Sequence, residues 1–248
     1  ELVTLAIEAL RQAALPERVI ERLIEEEDIE GFLLREVDQK LRPDEKMIMG
    51  GVAVLLGLPG TRDAIEATLD TSGTRRTLLY LSNRYLLLET NGRYDREYAQ
   101  HAILQAFYYD LLSRKERQAF HRRAAEYYER TEPDQLRAAM HYRHAGEGMR
   151  AAELATADIW AIINHGQGRH LRSLLIQLGQ ERLDVRLSAQ VQIALGEVLD
   201  FLGESQAARA AYEAALAKVE AEESSAEMAH LEARACLGMG AILEHQAT

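Results

Sequence analysis

The sequence predicts a mainly α protein: three short helices closed by a small β-hairpin, followed by stacked helix pairs. Apolar residues recur at helical spacing through nearly the whole chain. One stretch, YLLLETNGRYDREYA from Tyr85, breaks that period with an apolar run, an Asn91-Gly92 pair and a short return. From Pro133 onward the pattern becomes repetitive, with small residues at recurring helix positions.

Helical periodicity begins at once. Leu2, Leu5, Ala6 and Ala9 share a face, and Pro16 opens a new helix at its first turn, where the missing N–H costs nothing. That helix carries Val19, Ile20, Leu23 and Ile24, and the acidic run from Glu25 to Asp28 reads as its solvated end. A further helix over 32–41 stops at Arg42-Pro43, giving a helical segment over residues 1–43.

Residues 44–100 form the next unit. Pro43-Asp44-Glu45 starts a helix whose apolar face includes Met47, Ile48, Val52 and Leu55, stopped by Gly57-Leu58-Pro59-Gly60. Thr61 is a good N-cap for a helix carrying Ile65 and Leu69, and Thr74 is expected to cap a third through Leu81. The run 85–89 then reads as a strand. Asn91-Gly92 suits a two-residue hairpin turn, because those residues tolerate the positive φ such a turn needs. Three helices followed by a hairpin is the order of a winged helix-turn-helix.

A bridging helix pair is expected over 101–132, joined at Ser113, with Phe107, Tyr108, Phe120, Tyr127 and Tyr128 as packing aromatics. Residues 133–248 read as repeats. The clearest unit is 188–220, with Leu195-Gly196 inside the first helix, Gly203 at the turn, and Ala208, Tyr212 and Ala215 in the second. Small residues at Gly196 and Ala208 let two helices approach closely while Tyr212 fills the space beside them. These residues and spacings resemble a tetratricopeptide repeat, and Leu237-Gly238-Met239-Gly240 suggests the first helix of another copy about forty residues on. Upstream, 135–160 and 165–183 read as degenerate pairs of the same kind. Such solenoids offer an extended binding surface.

Composition limits the chemistry. A net charge of -11 disfavours broad attraction to nucleic acid or anionic membrane. The single cysteine, Cys236, excludes an intramolecular disulfide and fits a reducing, cytoplasmic compartment. No apolar run approaches membrane-spanning length, and the opening on Glu1 within an apolar pattern reads as a piece of a larger protein. None of Lys40, Lys46, Lys115 and Lys218 follows a glycine, so no G-x-x-x-x-G-K-S/T phosphate loop is present. Neither G-x-S-x-G, H-E-x-x-H nor C-x-x-C occurs, and the chain is not expected to be an enzyme by itself. His141, His144 and Glu147 are spaced on one helix but lack further ligands, so they read as an exposed or partly packed polar face and no metal is expected. Arg75, Arg76 and Arg84 flank the helix that reads DNA in DNA-binding winged helices. Leu78, Leu79, Tyr80 and Leu81 on the same helix, with Glu66, Asp70 and Asp95 nearby, favour a structural or protein-contact role, and DNA is not an expected partner.

The order of parts is more specific than any one motif. A helical segment ending LLREVDQKLRPDEK, then MIMGGVAVLLG and TRDAIEATL, then the hairpin leading into Gln100-His101-Ala102, then RKERQAFHRRAAEYYE and repeats, resembles the C-terminal arm of a STAND-class signalling NTPase. That class contains the NB-ARC proteins and the large bacterial regulators of the maltose-activator type. The resemblance implies an upstream nucleotide-binding domain that holds ADP in a closed state, with ATP and Mg in the active parent and no cofactor in this arm. It also implies an effector protein, peptide or small molecule on the repeats. His101 matches the histidine of the family's Met-His-Asp motif, which contacts the β-phosphate of the nucleotide. Gln100 and Ala102 stand where that motif has methionine and aspartate. A histidine can donate to phosphate whether neutral or charged.

Overall fold

A computed structural model of the chain describes residues 28–92, 95–221 and 225–247. The helices expected over 2–9 and 16–24 lie outside the described residues. The chain divides into two compact units, one ending at Tyr127 and the other beginning at Tyr128. The predicted fold class holds: mainly α, a small sheet behind short helices, then helical repeats.

In the first unit α1 (Ile29–Gln39) is started by Asp28, whose Oδ1 accepts the Gly31 N–H at 2.9 Å. Pro43 opens α2 (Pro43–Ala53), and Glu45 Oε2 reaches back to the Arg42 N–H at 2.8 Å. The α2 stripe that is buried runs through Glu45, Ile48, Met49 and Val52. Met47 was expected on it but lies about 160° away at 100° per residue, and is exposed. The helix ends at Ala53, and the following turn carries Leu56 and Gly57 at φ 61° and 76°.

A two-residue strand the sequence does not announce, β1 (Gly60–Thr61), precedes α3 (Arg62–Leu69). Thr61 caps α3 as expected, its Oγ1 accepting from Ala64 N at 3.2 Å. Thr74, in contrast, makes no side-chain cap for α4 (Arg75–Asn83). Its N–H and its hydroxyl both donate to Glu66 Oε1, at 2.9 and 3.0 Å, so the carboxylate of α3 holds the loop into α4. Glu66→Ala is therefore expected to cost about 1–3 kcal/mol by orphaning two donors of a buried residue, read as a lowered urea midpoint.

The hairpin departs from expectation in two respects. Tyr85 takes a left-handed conformation (φ 58°) just past α4, and Leu86 N bonds back to Leu81 O at 3.0 Å. Leu86 and Leu87 are thereby committed to the core, and the strand begins only at β2 (Leu88–Asn91). β2 pairs antiparallel with β3 (Arg96–Ala99), Leu88 opposite Ala99 and Asn91 opposite Arg96. The connection is thus the four residues 92–95, closed by Gly92 N to Asp95 O at 2.9 Å, and neither Asn91 nor Gly92 has positive φ. Gly92 is instead required by close approach: a Cβ there would lie 2.6 Å from Glu97 Oε1 and 2.8 Å from Asp95 O. β1 pairs along the other edge of β3, giving the order β1-β3-β2.

Two helices follow, α5 (Ala102–Leu111) and α6 (Arg114–Arg130). Ser113 and Glu116 form a reciprocal capping box at the joint, Glu116 Oε2 accepting from Ser113 N at 2.8 Å and Ser113 Oγ from Glu116 N at 3.3 Å. Of the expected packing aromatics, Tyr108 and Tyr128 are buried; Phe107, Phe120 and Tyr127 are only partly so.

The second unit contains α7 (Gln135–Ala145), α8 (Gly148–Ala157), α9 (Ile159–Asn164), α10 (Gly168–Leu178), α11 (Val185–Phe201), α12 (Ser205–Glu220) and α13 (Ala226–Ala247). The predicted pair at 188–220 is α11 with α12. Gly196, Ala208, Tyr212 and Ala215 are all buried. α11 and α13 run side by side in the same direction: Glu197 of one pairs with Arg234 of the other at 2.8 Å, while Arg186 and Gln190 face Glu227 and His230 near their starts. The expected pair over 135–160 is α7 with α8, which pack on each other; 165–183 holds only α10, whose partner is the preceding α9. α8 packs not only on α7 but on α10 and α11, and α11 packs in turn on α13. The same left-handed glycine turn joins α7 to α8 at Gly146, α9 to α10 at Gly166 and α11 to α12 at Gly203. The first-helix series therefore runs α7, α9, α11, α13, with Asp158 breaking α8 from α9 and capping the latter through Ala161 N at 2.9 Å. Trp160, in α9, opens the second pair and does not close the preceding one.

Candidate functional site

The junction at the end of the hairpin is built by backbone and amides. β3 ends at Ala99, and Gln100 turns inward, buried, donating from Nε2 to Met49 O in α2 at 3.0 Å. His101 is the N-cap residue of α5, extended at φ -61° and ψ 146°. Its carbonyl accepts Gln105 N at 2.9 Å, but its imidazole makes no cap bond, and the residue is half-buried. One turn on, Gln105 Nε2 reaches Ala53 O at 3.4 Å. Gln100 and Gln105 thus both bond carbonyls in the last turns of α2, on either side of His101. Ala53 O lies at the end of α2, where the carbonyls carry the negative end of the helix dipole and need donors. Gln100 has a packing role that the spacing did not reveal. Ala102 is exposed.

The arginines of α4 separate. Arg84 is buried, its guanidinium 5.1 Å from the Tyr80 ring and its Nη1 donating to Tyr80 Oη at 3.3 Å, so it cannot lie on a nucleic-acid face. Arg75 and Arg76 are exposed. Arg75 lines a cleft of about 340 Å³ with Arg62, Arg96, Asp95, Leu79 and Tyr98. Arg62 and Arg96 are already paired there, with Asp63 at 3.0 Å and Glu89 at 2.8 Å.

His141 is not on an exposed or partly packed polar face. It is 2% exposed and stacks on Tyr128 with centroids 5.7 Å apart and planes 8° from parallel. Burial first, then the charges of His144 and Arg137, push its pKa down to about 3, so it is a neutral core ring. Burial likewise lowers His144. Beside them Glu129 accepts from Tyr142 Oη at 2.6 Å and pairs with Arg150, and those bonds hold its carboxyl below the usual range. Among the described residues no group of three or more His, Cys, Asp or Glu is placed to hold a metal ion. Cys236 is exposed, and no helix is long and apolar enough to cross a membrane among the described residues.

The repeats carry two further clefts. One of about 360 Å³ lies between the starts of α11 and α13, lined by Arg186, Gln190, Glu227 and His230. Another, of about 400 Å³, lies between the start of α7 and the end of α9, with Asp134, Gln135, His165 and Gln167 on its walls.

No family model matches the chain, and no curated protein matches it. Among solved structures it is similar to a Signal Transduction ATPase with Numerous Domains (STAND) protein with a tetratricopeptide repeat sensor, from Pyrococcus horikoshii. The two are 15% identical, the match covers 88% of this chain and 40% of that one, and the TM-score is 0.46. The match therefore spans less than half the length of that STAND protein.

Proposed function

We propose that the chain is the regulatory and sensor arm of a STAND-type signalling NTPase, acting in the cytoplasm. The helices and hairpin of the first unit, read as a winged helix, serve as a nucleotide-dependent switch. The repeats receive an effector protein, peptide or small molecule. The observation that carries the reading is the position of His101: it stands one residue past the last strand, at the head of α5. Gln100 and Gln105 brace it against α2. A ring so placed can donate to a phosphate brought by an upstream nucleotide-binding domain, which would hold ADP or ATP with Mg. The chain itself, without a phosphate loop, is not expected to hydrolyse nucleotide. An effector acts through different affinities for the closed and open arrangements, since only that difference can move such an equilibrium.

In the full-length parent, His101→Ala is expected to speed ADP release and raise basal signalling, on the order of 10-fold for one lost charge-assisted bond. Nucleotide release is followed with a fluorescent ADP analogue. Unchanged release together with unchanged basal signalling would end the switch reading.

A second reading, a DNA-binding winged-helix regulator, is favoured by the exposed Arg75 and Arg76 on α4. Titrating the 248-residue chain with duplex DNA at low salt separates the two. Binding that falls steeply with salt supports DNA contact; no binding supports the switch.

A further inference from the structure

The cleft of about 340 Å³ in the first unit gathers arginines from separate elements. Arg62 opens α3, Arg75 opens α4 and Arg96 opens β3, with Leu79, Asp95 and Tyr98 completing the walls. The first turn of a helix disfavours a cation, because the dipole is positive there. Helix stability therefore gives no reason for arginine at the head of both α3 and α4. Arg75 makes no ion pair or hydrogen bond among the described residues. Arg62 and Arg96 pair with Asp63 at 3.0 Å and Glu89 at 2.8 Å, but all four side chains reach solvent, and neither carboxylate lines the cleft. Exposed pairs of that kind are worth little and yield to a better acceptor. Glu66, also near Arg62, is occupied by the two donors of Thr74.

Tyr98 adds a donor without an acceptor. The residue is only 4% exposed, yet its hydroxyl has no hydrogen-bond partner among the described residues. Buried phenols are normally bonded. Burial first, then Glu89, holds its pKa above the ordinary 10, while Arg96 and Arg62 act against that from close by. The phenol is thus a protonated donor beside two guanidinium groups. Against these donors the walls set one carboxylate, Asp95, whose Oδ1 already accepts the Arg96 N–H at 2.7 Å.

We propose that this cleft binds the phosphate group of a small ligand. Guanidinium forks match phosphate oxygens in pairs, and a phosphate has more acceptor oxygens than a carboxylate to share among Arg62, Arg75, Arg96 and Tyr98. Leu79 offers apolar contact to the rest of the ligand, and Asp95 opposes the anion and limits its affinity. The site goes beyond the nucleotide reading and uses other residues, since His101 does not line it.

The 248-residue chain is titrated calorimetrically with phenyl phosphate, benzoate and phenol. Phenyl phosphate is expected to bind saturably, benzoate about 10-fold more weakly and phenol not at all. Arg75→Gln is expected to weaken phenyl phosphate about 10-fold and Tyr98→Phe about 5-fold, whereas Asp95→Asn strengthens it about 3-fold. Arg76→Gln, on the same helix but lining a different cleft, leaves binding unchanged. Circular dichroism verifies that each variant keeps its helices. No heat with phenyl phosphate up to about 10 mM, equal binding of benzoate, or equal losses from Arg75→Gln and Arg76→Gln would overturn the proposal. Displacement of phenyl phosphate by duplex DNA overturns it as well and assigns the cleft to nucleic acid. A negative result here leaves the His101 prediction standing, and a failed His101 prediction leaves this site standing.

Discussion

Tyr212→Ala is expected to lower the unfolding free energy of the repeat unit by about 3–5 kcal/mol, the range for emptying a large aromatic from a core. The ring is buried between two helices that each offer it a glycine. A Cβ on Gly196 of α11 would lie 2.7 Å from Tyr212 Cε1, and one on Gly238 of α13 would meet the ring still more closely. Ala208 and Ala215 are fully buried on the same helix. Removing the ring opens a cavity among α11, α12 and α13 at once, and backbones already packed at glycine distance have little side chain with which to fill it. The complementary change, Gly196→Val, overpacks the same place and is expected to cost about 1–3 kcal/mol or more. Urea unfolding of the 248-residue chain followed by far-ultraviolet circular dichroism measures both. A loss below 1 kcal/mol for Tyr212→Ala would mean that the ring is not the common filler of the three helices.

Acid is the other strong lever. His141 is neutral in its buried stack on Tyr128, with its pKa pushed down to about 3 from an ordinary 6.5. The unfolded chain therefore binds that proton more readily than the folded one. Stability is complete above pH 6.5 and is lost as the pH falls toward 3, by at most about 1.4 kcal/mol per pH unit. Between pH 7 and 5 the expected loss is about 2 kcal/mol from this residue. His141→Phe keeps a ring on Tyr128 but cannot take up a proton, so it should flatten that part of the stability–pH curve even if it lowers the whole curve. Parallel curves for the two proteins between pH 7 and 5 would refute the assignment.

Most helices were legible because their signals are local. Thr61 and Pro43 mark helix starts by chemistry that acts within a turn, and α2 and α3 begin where those residues say. Asp28, read as the end of an acidic run, instead caps α1 three residues before its expected start. The repeat residues Gly196, Ala208, Tyr212 and Ala215 were legible for a related reason, since a tight helix pair needs small residues opposite a large one at fixed spacing. Thr74 misled because its hydroxyl found a longer-range acceptor in Glu66. The Asn91-Gly92 turn misled because Leu86 and Leu87 were taken by the core. That moved the strand and left four residues for the connection. His141 looked polar because a sequence shows a residue type and not its neighbours.

By itself the sequence determined the fold class, a hairpin unit ahead of helical repeats, the absence of a phosphate loop from this chain, and His101 at the head of the helix that follows the last strand. All of these depend on composition, local capping or a short repeat period. Only the tertiary structure decided the first-helix series α7, α9, α11 and α13, the burial of His141 and Arg84, and the grip of Gln100 and Gln105 on α2. Each of these depends on which helix faces which. That choice is made by side-chain packing and burial between segments far apart in the chain, and periodicity along one segment does not encode it.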